Sequence, residues 1–249
     1  MVSLQLDRVE ARYGRKVIYA DVSTPPLPGG SLTALVGPNA AGKSTLFRRI
    51  AGQLAGAGEV RLSGTDKASL RYMPQDTGMN AALSVYESVI LSLKQGRGGW
   101  RLTEDELHAV DEILQLLKIE ALAGKQLAEL SGGQRQLVSI GQTLVSQPRV
   151  ILLDEPTSAL DLYRQYEVLE VLRAYVERTG AVAILALHDL NQVMRVCTTT
   201  IAVANGRIVA TGPTLEVLRP ALIRELYGIE ARVETCSRGC PMMIVDGAP

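Results

Sequence analysis

Residues Gly37-Pro-Asn-Ala-Ala-Gly42-Lys43-Ser44 lie between an apolar run, Leu32–Val36, and a segment of helical character from near Lys43 to near Gly52. The spacing is G-x-x-x-x-G-K-[ST], set between a strand and a helix as that motif requires. Glycine-permitted turns let backbone N–H groups wrap an anion, and the helix N-terminus adds a favourable dipole. This pattern commits the chain to a strand–loop–helix unit and predicts a phosphate site on it. The candidate residues are Gly37, Pro38, Asn39, Ala40, Ala41, Gly42, Lys43, Ser44 and Thr45. Lys43 is placed to reach the β- and γ-phosphates of a nucleotide, and Ser44 to offer a hydroxyl to Mg²⁺.

A second strand signal ends in acids. Val150-Ile-Leu-Leu-Asp154-Glu155-Pro156 is an apolar run followed by two carboxylates and a proline that ends the strand. In open α/β folds, ligands bind beyond the carboxyl ends of the strands, so this strand delivers both acids to the expected ligand edge. Asp154 is suited to hold Mg²⁺, and Glu155, one residue on, to orient or deprotonate an attacking water. Ala181–Leu187 is another short apolar run of the kind buried on both faces of a parallel sheet. Between the two runs, Val168, Leu169, Leu172, Tyr175 and Val176 share one helical face, closed by Gly180. Strand, helix and strand make a βαβ unit.

The rest of the chain reads in blocks. Glycine and proline punctuate the first third, with β-like runs at Leu4–Val9, Leu32–Val36 and Glu59–Leu62. From Ser84 to Leu127 the pattern changes. Ser84-x-x-Glu87 and Thr103-x-x-Glu106 are capping boxes, and Leu107, Val110, Leu114 and Leu117 recur at helical spacing, which predicts a helical insert. Arg97-Gly-Gly reads as a loop inside it, and His108 as structural. Asn205-Gly206, within Ile201–Ala210, is a two-residue hairpin turn. Cys236-x-x-x-Cys240 offers two soft ligands without a second pair and reads as part of an accessory tail.

Composition narrows the functional classes. The chain has 249 residues, which at about 150 per domain allows one to two domains. Its 26 basic and 26 acidic side chains argue against a dominant nucleic-acid surface, which needs a basic excess. No apolar run approaches the roughly 18 residues of a membrane span. The first residues carry no basic flank or apolar run of a secretory leader, and three cysteines do not make a disulfide framework. A cytoplasmic protein is expected, with any membrane contact made through a partner.

Leu130-Ser131-Gly132-Gly133-Gln134 adds a second helix start rich in small residues, before Leu137, Ile140 and Leu144 at helical spacing. It is a second candidate anion site, without an obvious phosphate of its own. With the phosphate loop and Asp154-Glu155, in this order along the chain, the sequence resembles the nucleotide-binding subunits of ABC transporters from about Leu4 to Leu218. The resemblance implies an α/β fold: a RecA-like P-loop NTPase core, an N-terminal antiparallel β-subdomain and an inserted α-helical subdomain. Within one domain spanning 1–249, it implies a nucleotide-binding core at 1–80 and 146–235. The helical signature subdomain would be 81–145, and 236–249 a C-terminal tail.

The same resemblance implies ATP and Mg²⁺ as cofactors and a head-to-tail homodimer. Ser131, Gly132, Gly133 and Gln134 of one subunit would then cap the γ-phosphate on the other. Residue by residue, Gln75 in Tyr72-Met-Pro-Gln matches the glutamine that touches Mg²⁺ and the lytic water. Asp161 in Ser158-Ala-Leu-Asp161 matches the dimer-contact loop. His188 matches the switch histidine on the γ-phosphate, and Tyr13 the aromatic that stacks on adenine. One departure stands out. The phosphate loop of this family usually has glycine where this chain has Ala40, so a positive φ there would strain the alanine.

Ser158-Ala-Leu-Asp-Leu-Tyr-Arg-Gln-Tyr-Glu-Val-Leu and the preceding Gln134-Arg-Gln-Leu-Val-Ser-Ile-Gly-Gln look like the group serving iron–siderophore, haem and cobalamin importers. The implied partners are integral membrane permease subunits and, indirectly, a substrate-binding protein, with no nucleic acid expected. The implied place is the cytoplasmic face of the inner membrane. The alternative is a non-transport ABC ATPase of nucleic-acid repair or translation, but the long coiled-coil or zinc insertions, tandem ATPase units and basic arms of such proteins are not seen in this sequence. A scaffold with negligible turnover is a third reading, against which both Glu155 and His188 stand.

Overall fold

The computed structural model describes residues 1–75, 82–95 and 101–248, so the loop expected at Arg97-Gly-Gly lies outside the described residues. The chain opens with β1 (Ser3–Asp7), β2 (Val9–Tyr13), β3 (Lys16–Val22) and the short β4 (Leu27–Pro28). Next come β5 (Leu32–Val36), α1 (Lys43–Ile50), β6 (Glu59–Ser63) and β7 (Leu70–Met73). The insert contains α2 (Val85–Lys94) and α3 (Glu104–Leu116), and α4 (Gly132–Leu144) begins within the signature residues. Then β8 (Val150–Asp154), α5 (Leu162–Thr179), β9 (Val182–Ala186) and α6 (Leu190–Val196) continue the core. The last elements are β10 (Cys197–Ala204), β11 (Arg207–Pro213), α7 (Thr214–Val217), α8 (Pro220–Tyr227), β12 (Glu230–Thr235) and β13 (Pro241–Gly247).

The central sheet has strand order β11-β10-β5-β9-β8-β7. All its pairings are parallel except β10 with β11, which the Asn205-Gly206 turn joins antiparallel. Both turn residues have positive φ, 47° and 70°, as a type I′ turn requires. Every residue of β5, β8 and β9 is buried, because the sheet is covered on both faces. Alternation shows in which core each side chain enters. Ile151 and Leu153 join the core beneath α2 to α6, whereas Val150 and Leu152 join a second core with α1 and β1 to β3. An antiparallel layer, β4-β1-β6 and β2-β3, closes this second side.

The insert forms as its end signals demand. Ser84 and Thr103 cap α2 and α3 with complete capping boxes. Lys94 of α2 reaches Glu106 of α3 at 2.7 Å, and both side chains are largely covered. His108 is exposed and pairs with Glu112, one turn on. Helix α5 buries the five residues of its expected face and ends at Gly180, φ 66°. Among the described residues, no helix is long and apolar enough to cross a membrane.

The stretch beyond residue 229 is more ordered than a tail. β12 and β13 pair in a hairpin turned by Cys236 to Cys240, where Gly239 takes φ 75°. Ala231 and Met243 are buried in the main core. The boundary expected at 236 thus falls between two paired strands. The Asn191 side chain on α6 accepts from the Met243 N–H (2.7 Å) and donates to the Met243 carbonyl (3.2 Å), clipping the hairpin to the helix that follows His188. Asn191→Ala leaves both backbone groups of Met243 without this partner. It is expected to cost about 1–3 kcal/mol. Urea unfolding checks the loss, and hydrogen exchange should show it concentrated in β12 and β13.

Candidate functional site

Four parallel strands end level with one another: Leu35 is opposite Ala186, Asp154 opposite Ala186, and Met73 opposite Leu153. Whatever follows each strand therefore converges. The phosphate loop follows β5, Gln75 follows β7, Asp154 and Glu155 close β8, and His188 follows β9. A cavity of about 630 Å³ is lined there by Asn39 to Thr45, Gln75, Glu155, His188 and Ile18.

The loop's conformation explains its glycines. Gly37 has φ 156°, and a Cβ on it would meet the Val203 carbonyl oxygen at 2.2 Å; Gly42 has φ 96° and abuts the Tyr19 ring. Tyr19, fully buried on β3, donates its hydroxyl to the Ala41 carbonyl at 2.9 Å and so supports the loop from below. Its exposed neighbour Ala40 takes φ 62°, so the departure from glycine does strain the backbone. Lys43 is 6% exposed, and its ammonium donates to the Gly37 and Pro38 carbonyls at 2.8 and 3.2 Å. Burial lowers its pKa, opposed by the charges of Glu155 and Asp154.

Asp154 is 1% exposed. Burial raises its pKa, with the nearby Ser44 hydroxyl acting in the other direction. Its Oδ2 accepts from the Tyr72 hydroxyl at 3.3 Å, while Oδ1 is buried without a hydrogen-bond partner among the described residues. A buried carboxylate oxygen with a spare lone pair, next to a serine hydroxyl, is a donor set that fits a hard divalent cation. Tyr72 is itself pushed up to about 12 by burial and by the Asp154 charge.

The Glu155 carboxylate is held at both oxygens. His188 Nε2 lies 2.5 Å from Oε1, and Gln75 Nε2 donates to Oε2 at 2.9 Å. Glu155 also takes φ 55°, a left-handed conformation rare for this residue type. Its N–H donates to the Ala186 carbonyl at 3.2 Å, and its own carbonyl accepts from Gln136 Nε2 at 2.6 Å. A carboxylate fixed beside an anion cradle can receive a proton from a water lying between them.

The other expected residues lie elsewhere. Ser131, Gly132, Gly133 and Gln134 line a separate cavity of about 710 Å³, together with Asp161. Ser131 caps α4, accepting from the Gln134 N–H at 3.3 Å, and Asp161 caps α5 through the Arg164 N–H at 2.9 Å. Among the described residues, none lines both this cavity and the phosphate cavity. Tyr13 is 41% exposed, accepts from Arg48, and is not among the residues lining the phosphate cavity; Ile18 is the residue that the antiparallel layer places there. Gln136, Tyr19 and Tyr72 were not legible as site residues. None of the three carries a local pattern that marks it: β3 buries Tyr19 and Val22 but leaves Val17, Ala20 and Asp21 exposed.

Comparison with known proteins gives concordant results. The sequence pattern of the family described as ABC transporter matches residues 23–158. The chain is 36% identical to the hemin import ATP-binding protein HmuV of Pseudomonas fluorescens (strain Pf0-1), over 97% of this chain and 99% of that one. It is 31% identical to the iron(3+)-hydroxamate import ATP-binding protein FhuC of Bacillus subtilis (strain 168), over 96% and 92%. In fold it is similar to a solved metal-chelate type ABC transporter in an inward-facing conformation. There the TM-score is 0.87 at 24% identity, covering 100% of this chain and 98% of that one.

The strain at Ala40 yields a stability test. A left-handed alanine costs about 1–2 kcal/mol, and glycine returns about 0.4–1 kcal/mol of that through the unfolded chain. Ala40→Gly is therefore expected to stabilise by about 0.5–1 kcal/mol, raising Tm by about 1–4 °C. Calorimetry that finds a lower Tm would contradict the strain.

Proposed function

The chain belongs to the ABC transporter family and is an ATP-hydrolysing, ATP-binding subunit, and from that premise we propose that it powers import of a metal chelate through a membrane permease. The full-length likeness to subunits named for hemin and iron(3+)-hydroxamate import supports this substrate class. The observation that carries the mechanism is the Glu155 carboxylate, held between His188 and Gln75 at the mouth of the phosphate loop.

Backbone N–H groups of residues 39 to 45 and the α1 N-terminus bind the β- and γ-phosphates. Lys43, held by loop carbonyls at the same place, neutralises phosphate charge. Ser44, Asp154 and Gln75 would hold Mg²⁺, which would supply charge neutralisation on the transferring phosphoryl group. Glu155 takes the proton of the water that attacks the γ-phosphorus, the bond to the β–γ bridging oxygen breaks, and ADP leaves. His188 orients Glu155 and meets the γ-phosphate. Tyr13, at the end of β2, flanks the base.

The separation of the two cavities supports a head-to-tail homodimer in which Ser131, Gly132, Gly133 and Gln134 complete the partner's phosphate site, with Asp161 at the contact. We assign the nucleotide-binding core to 1–80 and 146–235, with β13 paired onto it, and the signature subdomain to 81–145. In this reading the protein sits peripherally at the cytoplasmic face of the membrane, under permease chains that receive cargo from a substrate-binding protein.

Glu155→Gln is expected to retain ATP binding and to lower hydrolysis by roughly 10²–10⁴-fold. It should also give an ATP-dependent dimer in gel filtration. Unchanged turnover would remove Glu155 from this role. An affinity-tagged Glu155→Gln chain is expected to co-purify with an integral membrane protein from detergent-solubilised membranes; recovery of nucleic acid instead would overturn the transport reading.

The dimer has its own test. Ser131→Arg and Lys43→Ala each damage both sites of a homodimer, but a mixed dimer has one intact site. The mixture is expected to regain ATPase activity that both parents lack, or, where both sites must fire together, to show ATP-dependent crosslinking near Asp161. The head-to-tail arrangement fails if neither signal separates the mixture from its parents.

A further inference from the structure

Gln136 lies one turn into the signature helix α4, is only 7% exposed, and spends its whole side-chain amide on one short segment of backbone. Its Nε2 donates to the Glu155 carbonyl at 2.6 Å and to the Ser158 hydroxyl at 3.3 Å. Its Oε1 accepts from the Ala159 N–H at 2.7 Å. The segment it grips begins at Glu155, whose left-handed backbone costs of order 1–3 kcal/mol and persists only where surrounding contacts over-determine it. Two further donors reach the same carbonyl, the Ser158 hydroxyl at 3.2 Å and the Ser158 N–H at 3.3 Å, but both belong to the segment itself. Gln136 thus ties that backbone to a different element.

We infer that Gln136 is a positioning residue for ATP hydrolysis: it locks the backbone of Glu155 to the signature helix, so that the carboxylate points at the attacking water only when α4 is in place. The inference rests on Glu155 being the base. The geometry gives the mechanism. If the Glu155 carbonyl swings away from α4, φ relaxes, and the side chain leaves the line set by His188 and Gln75. Because Ser131 to Gln134 form the first turn of the same helix, a shift of that turn is carried to Glu155 within one rigid element. A phosphate engaged by the signature of one chain therefore acts on the base of the same chain, which in the head-to-tail dimer serves the other site.

The test is ATP hydrolysis by the full chain carrying Gln136→Leu or Gln136→Glu, each alone and with Glu155→Gln. Gln136→Glu keeps the length and the acceptor for Ala159 but has no N–H for the Glu155 carbonyl, so it isolates that contact and decides the question if the leucine variant does not fold. A displacement of about 1 Å at a reacting group costs on the order of 10²-fold, so kcat is expected to fall about 10- to 100-fold, with KM for ATP held. Since Gln136 acts through Glu155, neither substitution should lower the residual single-turnover rate of Glu155→Gln further. Turnover within about twofold of the parent, or the same fold-loss repeated in the Glu155→Gln background, overturns the proposal. Full turnover in Glu155→Gln alone overturns the base assignment, and this proposal with it. Normal turnover in the Gln136 variants beside an inactive Glu155→Gln overturns this proposal alone.

Discussion

The level ending of β5, β9, β8 and β7 is the constraint on which the site depends. Parallel pairing with Asp154 and Leu35 both opposite Ala186 places the phosphate loop, the acid pair and His188 at one edge without any long loop to carry them there. A slip of one residue in β8 would turn Asp154 and Glu155 to opposite faces from those they occupy, because side chains alternate along a strand. The slip is opposed by burial on both sides. Val150 and Leu152 fill one core while Ile151 and Leu153 fill the other, and exchanging the two sets would misfit both. Packing far beneath the site thus sets the position of two carboxylates.

Around that edge, the fold stores conformations that local preference opposes. Ala40 and Glu155 both hold positive φ without being glycine. Each is flanked by a contact from a different layer: Tyr19 of the antiparallel layer bonds the carbonyl after Ala40, and Gln136 of the signature helix bonds the carbonyl of Glu155. The site is assembled from three layers, and none of them folds the loop or the base alone.

The parts of this arrangement that were legible in the sequence are those set by short-range chemistry. The glycine spacing at 37 and 42, the capping boxes at Ser84 and Thr103, the Gly180 stop and the Asn205-Gly206 turn all act within a few residues. The continuous apolar runs at 150–153 and 181–187 revealed strands buried on both faces. What stayed hidden depends on partners distant in sequence. Gln136 looks like any polar residue in a helix until the loop after β8 folds against it. Tyr19 lies 22 residues from the carbonyl it supports. The pairing of β12 with β13 gives no clear two-residue period, since Met242, Met243, Ile244 and Val245 are all apolar. Ile18, which no local pattern marks, is the residue that the antiparallel layer contributes to the phosphate cavity.

The clip between Asn191 and Met243 joins residues 52 apart, and it reaches the helix directly after His188. During synthesis at about 5–20 residues per second, α6 would wait roughly 3–10 seconds before its clamp emerges. Until then the sheet edge can form, and the phosphate loop with it, while the helix behind the histidine lacks the hairpin that covers it. A ribosome that stops short of β13 would release a chain with nearly all its nucleotide contacts and an unsecured switch. The order of translation thereby places the sheet edge before the hairpin that covers α6.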